Sequence, residues 1–225
     1  MRQTDPLRTE QEVDRFLNFM ARWSGVYFVG CVIGMNWGLR SSDILALRVG
    51  DVLAGSGKRI QIADRIQIRE QKTGHLRDIP ITDKMKEILS LHIRNLKQLP
   101  DYSPDMPLVL SQKRDGTGAR KALCRRQFWF VIKRAADALG LNRRERRIGT
   151  HSLRKTYAYQ AWRSGVRVDV LQREFGHADV ATTHRYACIP DERLDQIFDR
   201  VNFGNKDALA RRSDFRLKRE KRPER

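Results

Sequence analysis

The sequence predicts a mainly helical α+β fold with one small antiparallel β-sheet of two or three strands and no parallel sheet. Apolar residues recur at helical spacing almost everywhere outside about residues 59–82. Inside that window the period falls to two. Ile60, Ile62, Ile66 and Ile68 alternate with polar residues, and Asp78-Ile79-Pro80-Ile81-Thr82 forms a second extended piece. The length of 225 residues suits one sizeable core, or one domain with short appendages.

Taken in order, Thr9-x-x-Glu12 reads as a capping box opening a helix whose apolar face is Val13, Phe16, Leu17 and Met20. A second helix at about 25–37 is apolar nearly all round, which predicts burial, and Gly38 ends it. Ser42 is placed to cap a third, short helix carrying Ile44, Leu45 and Leu47 inward. The alternating segment breaks near Ala63-Asp64-Arg65. Lys72-Thr73-Gly74-His75 is a turn, and Pro80 has to lie at a sheet edge. Thr82 caps a helix over about 83–98, with Met85, Ile88, Leu89, Leu91, His92 and Leu96 as inner positions. Leu108-Val109-Leu110 is a candidate extended piece and Asp115-Gly116-Thr117-Gly118 a turn. Helices follow at about 125–139, closed by Gly140, from about Ser152 to before Gly165, and at about 168–175. The segment around Tyr186 comes next. A last helix at about 191–201 carries Leu194, Ile197, Phe198 and Val201 as one stripe. One domain over 1–203 is expected, with a basic, mobile tail over 204–225.

Lys plus Arg number 45 against 27 Asp plus Glu, a formal net charge of +18. A surplus of that size favours a polyanionic partner, nucleic acid before an anionic membrane. Hydrophobic residues at 40 % argue against a disordered chain. Cys31, Cys124 and Cys188 are far apart and form no CxxC pair, which suggests a reducing compartment. No signal peptide is visible, and the longest apolar run, Val26–Met35, is too short to span a bilayer. A cytoplasmic, nucleoid-associated protein is expected. Gly55-Ser56-Gly57-Lys58-Arg59 lacks the spacing of a phosphate loop, the histidines lack zinc spacing, and no carboxylate cluster suggests a two-metal nuclease.

Six residues carry the chemistry. Arg40 follows a buried helix and a glycine turn, so it can be held rigidly at the core's edge. Arg154 lies three residues after His151, on one helical face with it. Two guanidiniums match a phosphodiester bidentately and keep their charge. His177 stands nine residues before Tyr186. A free phenol ionises at about pH 10, so Tyr186 as nucleophile needs a base and nearby positive charge. His151 and His177 are the imidazoles available. Lys72, on a turn, can reach a leaving oxygen as general acid. Each residue alone is more commonly a solvated or half-buried side chain; their joint order carries the reading.

That order, Arg40, Lys72, His151-x-x-Arg154, Gly176-His177 and Tyr186, resembles the tyrosine recombinase (phage integrase) family. Gly38-Leu39-Arg40-x-x-Asp43 resembles its first arginine box, with Asp43 in a supporting acidic position, and Lys72-Thr73-Gly74 its hairpin lysine. The resemblance covers roughly residues 9–200. It implies a site-specific DNA recombinase of integrase, excisionase or invertase type working through a 3′-phosphotyrosyl link and a Holliday junction. Tyr186 would attack, Arg40, Arg154 and His177 would hold the phosphate, His151 would assist proton transfer, and Lys72 would protonate the 5′-oxygen. Neither metal nor other cofactor is implied. The implied partners are double-stranded DNA sites, three further protomers in a tetramer on DNA, and accessory DNA-bending proteins; no membrane is implied. The source would be bacterial, a phage or another mobile element. The competing readings are a type IB topoisomerase-like enzyme and a non-catalytic DNA-binding regulator. Only 39 residues precede Arg40, so no separate N-terminal core-binding domain is expected.

Overall fold

The computed structural model of the protein describes residues 4–55, 57 and 60–189. Helix α1 spans Glu10–Trp23. Its cap is Thr9, whose hydroxyl accepts from the Glu12 amide at 3.1 Å, while the Glu12 carboxylate accepts from the Arg8 amide at 2.8 Å. The return bond therefore lands one residue beyond the reciprocal bond of a capping box. Phe16 and Met20 are buried; Val13 and Leu17 are only partly so. Ser24 then joins α1 to α2, Gly25–Trp37, which packs against it. α2 buries Val29, Cys31, Val32, Ile33, Met35 and Trp37, and is the central helix of the core.

Two glycines of this region position the site. A Cβ on Gly34 would lie 2.9 Å from Leu153 Cβ, so only glycine lets α2 approach the helix α6, Thr150–Arg163, this closely. Gly38 ends α2 at φ +60°, and a Cβ there would meet the Tyr157 ring at 2.6 Å. Beyond it Leu39 is buried and Arg40 is extended (φ −71°, ψ 152°), so Arg40 itself is the N-cap of α3, Ser41–Ala46. The amides of Asp43 and Ile44 bond back to Arg40 O at 2.9 and 3.0 Å. The helix thus begins two residues earlier than a Ser42 cap requires; Ser42 Oγ lies 3.4 Å from Asp43 Oδ1 instead.

The described strands form three two-stranded antiparallel sheets rather than one. β1 (Leu53–Ala54) pairs with β2 (Gln61–Ile62), β3 (Arg65–Arg69) with β4 (Leu76–Pro80), and β5 (Leu110–Arg114) with β6 (Arg120–Ala122). The alternating segment changes partner at its break: Ala63 N bonds back to Val52 O, whereas Asp64 O accepts from Ile81 N in the next hairpin. Pro80 sits opposite Arg65 at the end of a two-stranded ribbon, where its missing N–H interrupts no ladder.

Helix α4 spans Asp83–Leu96, with Thr82 Oγ1 accepting from Met85 N at 3.4 Å. Met85, Leu89, His92 and Leu96 face inward with Ile93, which the sequence reading leaves out. Leu91 is 58 % exposed. Two residues from Leu89 it lies about 200° round the helix, on the far face. Helix α5, Arg125–Ala138, buries Phe128, Val131, Ile132, Ala135 and Ala136. α6 starts two residues before Ser152, because Gly149 is the cap and donates to Ser152 Oγ at 3.0 Å. α7 (Val168–Phe175) stops at Gly176, φ +62°. The segment holding Tyr186 is a helix, α8 (Val180–Ala187), whose cap Asp179 accepts from Thr182 N at 2.6 Å.

The N-terminal segment is strapped to α6. Leu7 is buried, its amide donates to Thr156 Oγ1 at 2.9 Å, and Lys155 Nζ donates to Thr4 O at 2.6 Å. A satellite apolar cluster of Ala158, Phe175, Ala187 and Ile189, with Tyr157 and Tyr186 against it, joins α6, α7 and α8. The helix expected at about 191–201, the domain limit at 203 and the tail over 204–225 lie outside the described residues. Among the described residues no helix is long and apolar enough to cross a membrane.

Candidate active site

Two arginines converge on one buried carboxylate. Arg40, at the start of α3, and Arg154, in the second turn of α6, both donate to Glu70, just past the end of β3. Arg154 Nη1 lies 2.5 Å from Glu70 Oε1, and Arg40 Nη1 bonds Oε2. Thr73 Oγ1 donates to the same Oε2 at 2.8 Å. Glu70 has no exposed surface and Arg154 is 1 % exposed, while the Arg40 side chain retains 16 %. Burial pushes the Glu70 carboxyl up, but the hydrogen bond and charge of Arg154, with Thr73 and Arg40, hold it down at about 2. Burial lowers Arg154, and its guanidinium stays charged all the same. Its face lies 4.4 Å from the Phe175 ring centroid.

Lys72 is exposed on the turn between β3 and β4. That turn is fixed at several points. Gln71 N donates to Asp43 Oδ1 at 3.0 Å, so the buried Asp43 ties α3 to the hairpin. Glu70 N bonds His75 O at 2.9 Å and Gly74 N bonds Glu70 O at 2.8 Å, with Gly74 at φ +67°. The His75 ring packs against Gly176, where a Cβ would stand 3.4 Å from it.

His151 lies on the first turn of α6, exposed at its rim. Partial desolvation of its ring by the surrounding residues and the charges of Arg154, Arg40, Lys155 and Lys72 lower its pKa, which favours the neutral imidazole at pH 7. His177 follows the α7 cap. Its Nδ1 is 2.9 Å from the buried Thr183 Oγ1, which sets the ring's orientation, and burial with Arg154 and Arg40 lowers its pKa too. The His177 and Tyr186 rings meet edge-on at 5.3 Å, and Tyr186 meets Phe175 at 5.8 Å. Lys155 Nζ stands 5.4 Å over the Tyr186 ring. Burial raises the Tyr186 phenol; Arg154 and Arg40 pull the other way without cancelling it.

The structure therefore gathers Arg40, Lys72, His151, Arg154, His177 and Tyr186 around one basic centre, with Asp43 behind the hairpin. Sequence reasoning missed four contributors: Glu70, Thr73, Thr183 and Phe175. Glu70 carried a readable signal, because it continues the inward phase of Ile66 and Ile68. The others show themselves only through contacts.

Fold and site together define a helical protein whose paired guanidiniums, neutral imidazoles and phenol suit chemistry at a phosphodiester. The chain belongs to the phage integrase family, the tyrosine recombinases, whose sequence model matches residues 8–193. By class it is thus a site-specific recombinase. It is 28 % identical over 187 residues to the "probable integrase/recombinase YoeC" of Bacillus subtilis (strain 168), covering 83 % of this chain and 91 % of that one. It is 28 % identical over 164 residues to the tyrosine recombinase XerA of Pyrococcus horikoshii, covering 73 % of this chain but 50 % of the relative. The chain therefore spans nearly all of YoeC and about half the length of XerA. Among solved structures, a crystal structure of XerA recombinase superposes with TM-score 0.66 at 18 % identity, over 91 % of this chain and 68 % of that one. The catalytic domain of bacteriophage HP1 integrase gives 0.54 at 20 % identity, over 88 % and 95 %. At such identities these likenesses speak for the fold.

Proposed function

We propose that the six gathered residues cut and rejoin DNA through a covalent phosphotyrosine. The observation that supports this most is the convergence of Arg40 and Arg154 beside Tyr186 and His177. The Tyr186 oxygen attacks the scissile phosphorus, a P–Oη bond forms, and the bond to the 5′-oxygen breaks. Arg40, Arg154 and His177 stabilise the charge on the non-bridging oxygens. The phenol proton passes to His151, whose depressed pKa leaves it neutral and able to accept. Lys72 gives a proton to the departing 5′-oxygen. Attack by another 5′-hydroxyl on the phosphotyrosine reverses the sequence, so no bond energy has to be supplied.

Double-stranded DNA is the substrate, in keeping with the +18 charge. A related fold, XerH recombinase, is described bound to a palindromic difH substrate. Strand exchange in a tetramer on DNA, with accessory DNA-bending proteins, and a cytoplasmic, nucleoid-associated setting belong to the same proposal. The relatives named as recombinases and integrases favour this over a topoisomerase-like reading. The deciding experiment captures covalent adducts on nicked suicide duplexes taken from DNA flanking the gene. Tyr186→Phe should abolish the adduct and leave DNA affinity nearly unchanged, since it removes the nucleophilic oxygen and no charge at neutral pH. A substantial adduct in that variant would mean another nucleophile. Cleavage should also survive EDTA; a strict magnesium requirement would contradict the scheme.

A further inference from the structure

Glu70 takes no part in the scheme above, yet it is the most enclosed charged group at the site, with no exposed surface. An ionised carboxylate buried this way is costly unless it is paired and hydrogen-bonded. Here it is met by two guanidiniums and a hydroxyl. The backbone directs this side chain inward. Ile66 and Ile68 point inward on β3, Glu70 continues that phase, and its own N–H and C=O are engaged by His75 and Gly74. The hairpin thus presents the carboxylate inward, where both arginines and Thr73 reach it.

Each guanidinium gives Glu70 one Nη, and Arg154 Nη2 also donates to Phe175 O at 3.4 Å; with five N–H donors on each, donors remain for a phosphate. Without the shared anion, two cations on long, rotamer-rich side chains would repel one another and spread. With it their spacing is fixed before DNA arrives, and the trio still carries one net positive charge toward a phosphodiester. Thr73 hydrogen-bonds to the same carboxylate and is the neighbour of Lys72 in the turn. One side chain thus touches both the phosphate-holding pair and the turn that bears the proton donor.

We propose that Glu70 is a positioning residue: its carboxylate bridges Arg40 and Arg154 at a fixed spacing and locks the Lys72 turn to them. This rests on the function proposed above, in which those three side chains serve one scissile phosphate. The bridge persists at any working pH, because the carboxyl is held at about 2.

The test uses the whole chain and two independent readouts. In Glu70→Gln, single-turnover adduct formation at saturating DNA should slow roughly 10- to 100-fold, the scale of a small misplacement of catalytic groups. DNA affinity should change less than about threefold, since it is dominated by many other phosphate contacts. Glu70→Asp keeps the charge but shortens the bridge, so it should be slow as well; full activity in it would reduce Glu70 to a charge balance and overturn the bridging geometry. Thr73→Ala, on an exposed turn, should fold normally and slow cleavage several-fold. An unchanged rate there would overturn the link to Lys72, and an unchanged rate in Glu70→Gln would overturn the whole proposal. The second readout is nitrogen-15 NMR of arginine side chains in the free protein, assigned with Arg40→Lys and Arg154→Lys. Two ordered, slowly exchanging guanidiniums are expected in the parent chain, and their loss in Glu70→Gln with backbone amides otherwise unmoved. Guanidiniums as ordered as in the parent would refute the bridge even if the parent chain proved to form no adduct, an outcome that would separately refute the proposed reaction. Should Glu70→Gln fail to fold, Glu70→Asp and Thr73→Ala decide the matter by the same criteria.

Discussion

The Tyr186 phenol resists ionisation as it stands. Burial against Phe175 and His177 disfavours the phenolate, and the cations beside it do not make up the difference. Besides Tyr102 and Tyr157, which burial also raises, the free protein should therefore show a tyrosine, identified by its absence in Tyr186→Phe, ionising above the ordinary value of about 10 in ultraviolet difference titration. A midpoint at or below 10 would mean a phenol activated before DNA binds. The site's geometry also depends on residues with no chemistry. Gly38→Ala would put a methyl group on the Tyr157 ring and force a left-handed φ on alanine. It should cost about 2 kcal/mol or more of stability in urea unfolding. At this scale the sequence exposes what is local: His151 and Arg154 share a helix, and His177 stands just before the cap of the helix that carries Tyr186. Glu70 and Arg77 were harder to see. Both are charges in phase with an inward-facing isoleucine, Ile68 and Ile79, and such a charge is buried only with a partner. The partners come from distant segments: Arg40 and Arg154 for Glu70, and Glu174 for Arg77. Alternation read only through its apolar members passes over them.

Among elements, the β3–β4 hairpin is the part that brings Lys72 to the arginines. Asp43 is its anchor, because its Oδ1 takes the Gln71 amide 28 positions away. Asp43→Ala should release that amide, and hydrogen exchange at Gln71 should quicken before any global unfolding. The loss of stability should be modest, about 1 kcal/mol for one hydrogen bond that water can replace. Adduct formation should slow more than DNA binding weakens. Exchange at Gln71 as slow as in the parent would show that the turn holds itself. The helices were legible because their signals are local: period, cap and terminating glycine all lie within one segment. Those signals place α2, α5 and α7 to within a residue or two. Sheet partnership is not local, and one alternating stretch serves two ribbons. The cap of α3 was misread for a related reason. The chain leaving Gly38 is already extended at Arg40, so a backbone turn fixed by Gly38 and Tyr157 overrides the cap preference of Ser42.

For the molecule as a whole, the perturbed groups predict how stability follows pH. His92, His151 and His177 all have pKa values below the ordinary 6.5, burial being the first cause in each. Below about pH 6.5 the unfolded chain takes up protons that the folded one refuses, so stability falls until the folded imidazoles also titrate. Glu12 and Glu70 act lower down. Arg146 holds Glu12 at about 2 against burial, and Arg154, Thr73 and Arg40 do the same for Glu70, compared with the ordinary 4.5. Their contribution is complete above pH 4.5 and is lost as pH falls toward 2. Both groups have the same sign, so urea midpoints should be level between pH 7 and 8 and should decline in two stages on acidification. His92 and Glu12 separate the stages without touching the site. His92 Nε2 is hydrogen-bonded to Leu108 O at 2.8 Å, a bond a glutamine amide can make, so His92→Gln should flatten the upper stage. Glu12→Gln should lower stability at neutral pH and flatten the lower stage, because the Arg146 pair that fastens the N-terminal segment loses its titrating member. A midpoint that rose between pH 7 and 5 would mean these histidines gain anionic partners in the folded chain, and would contradict their burial as neutral rings.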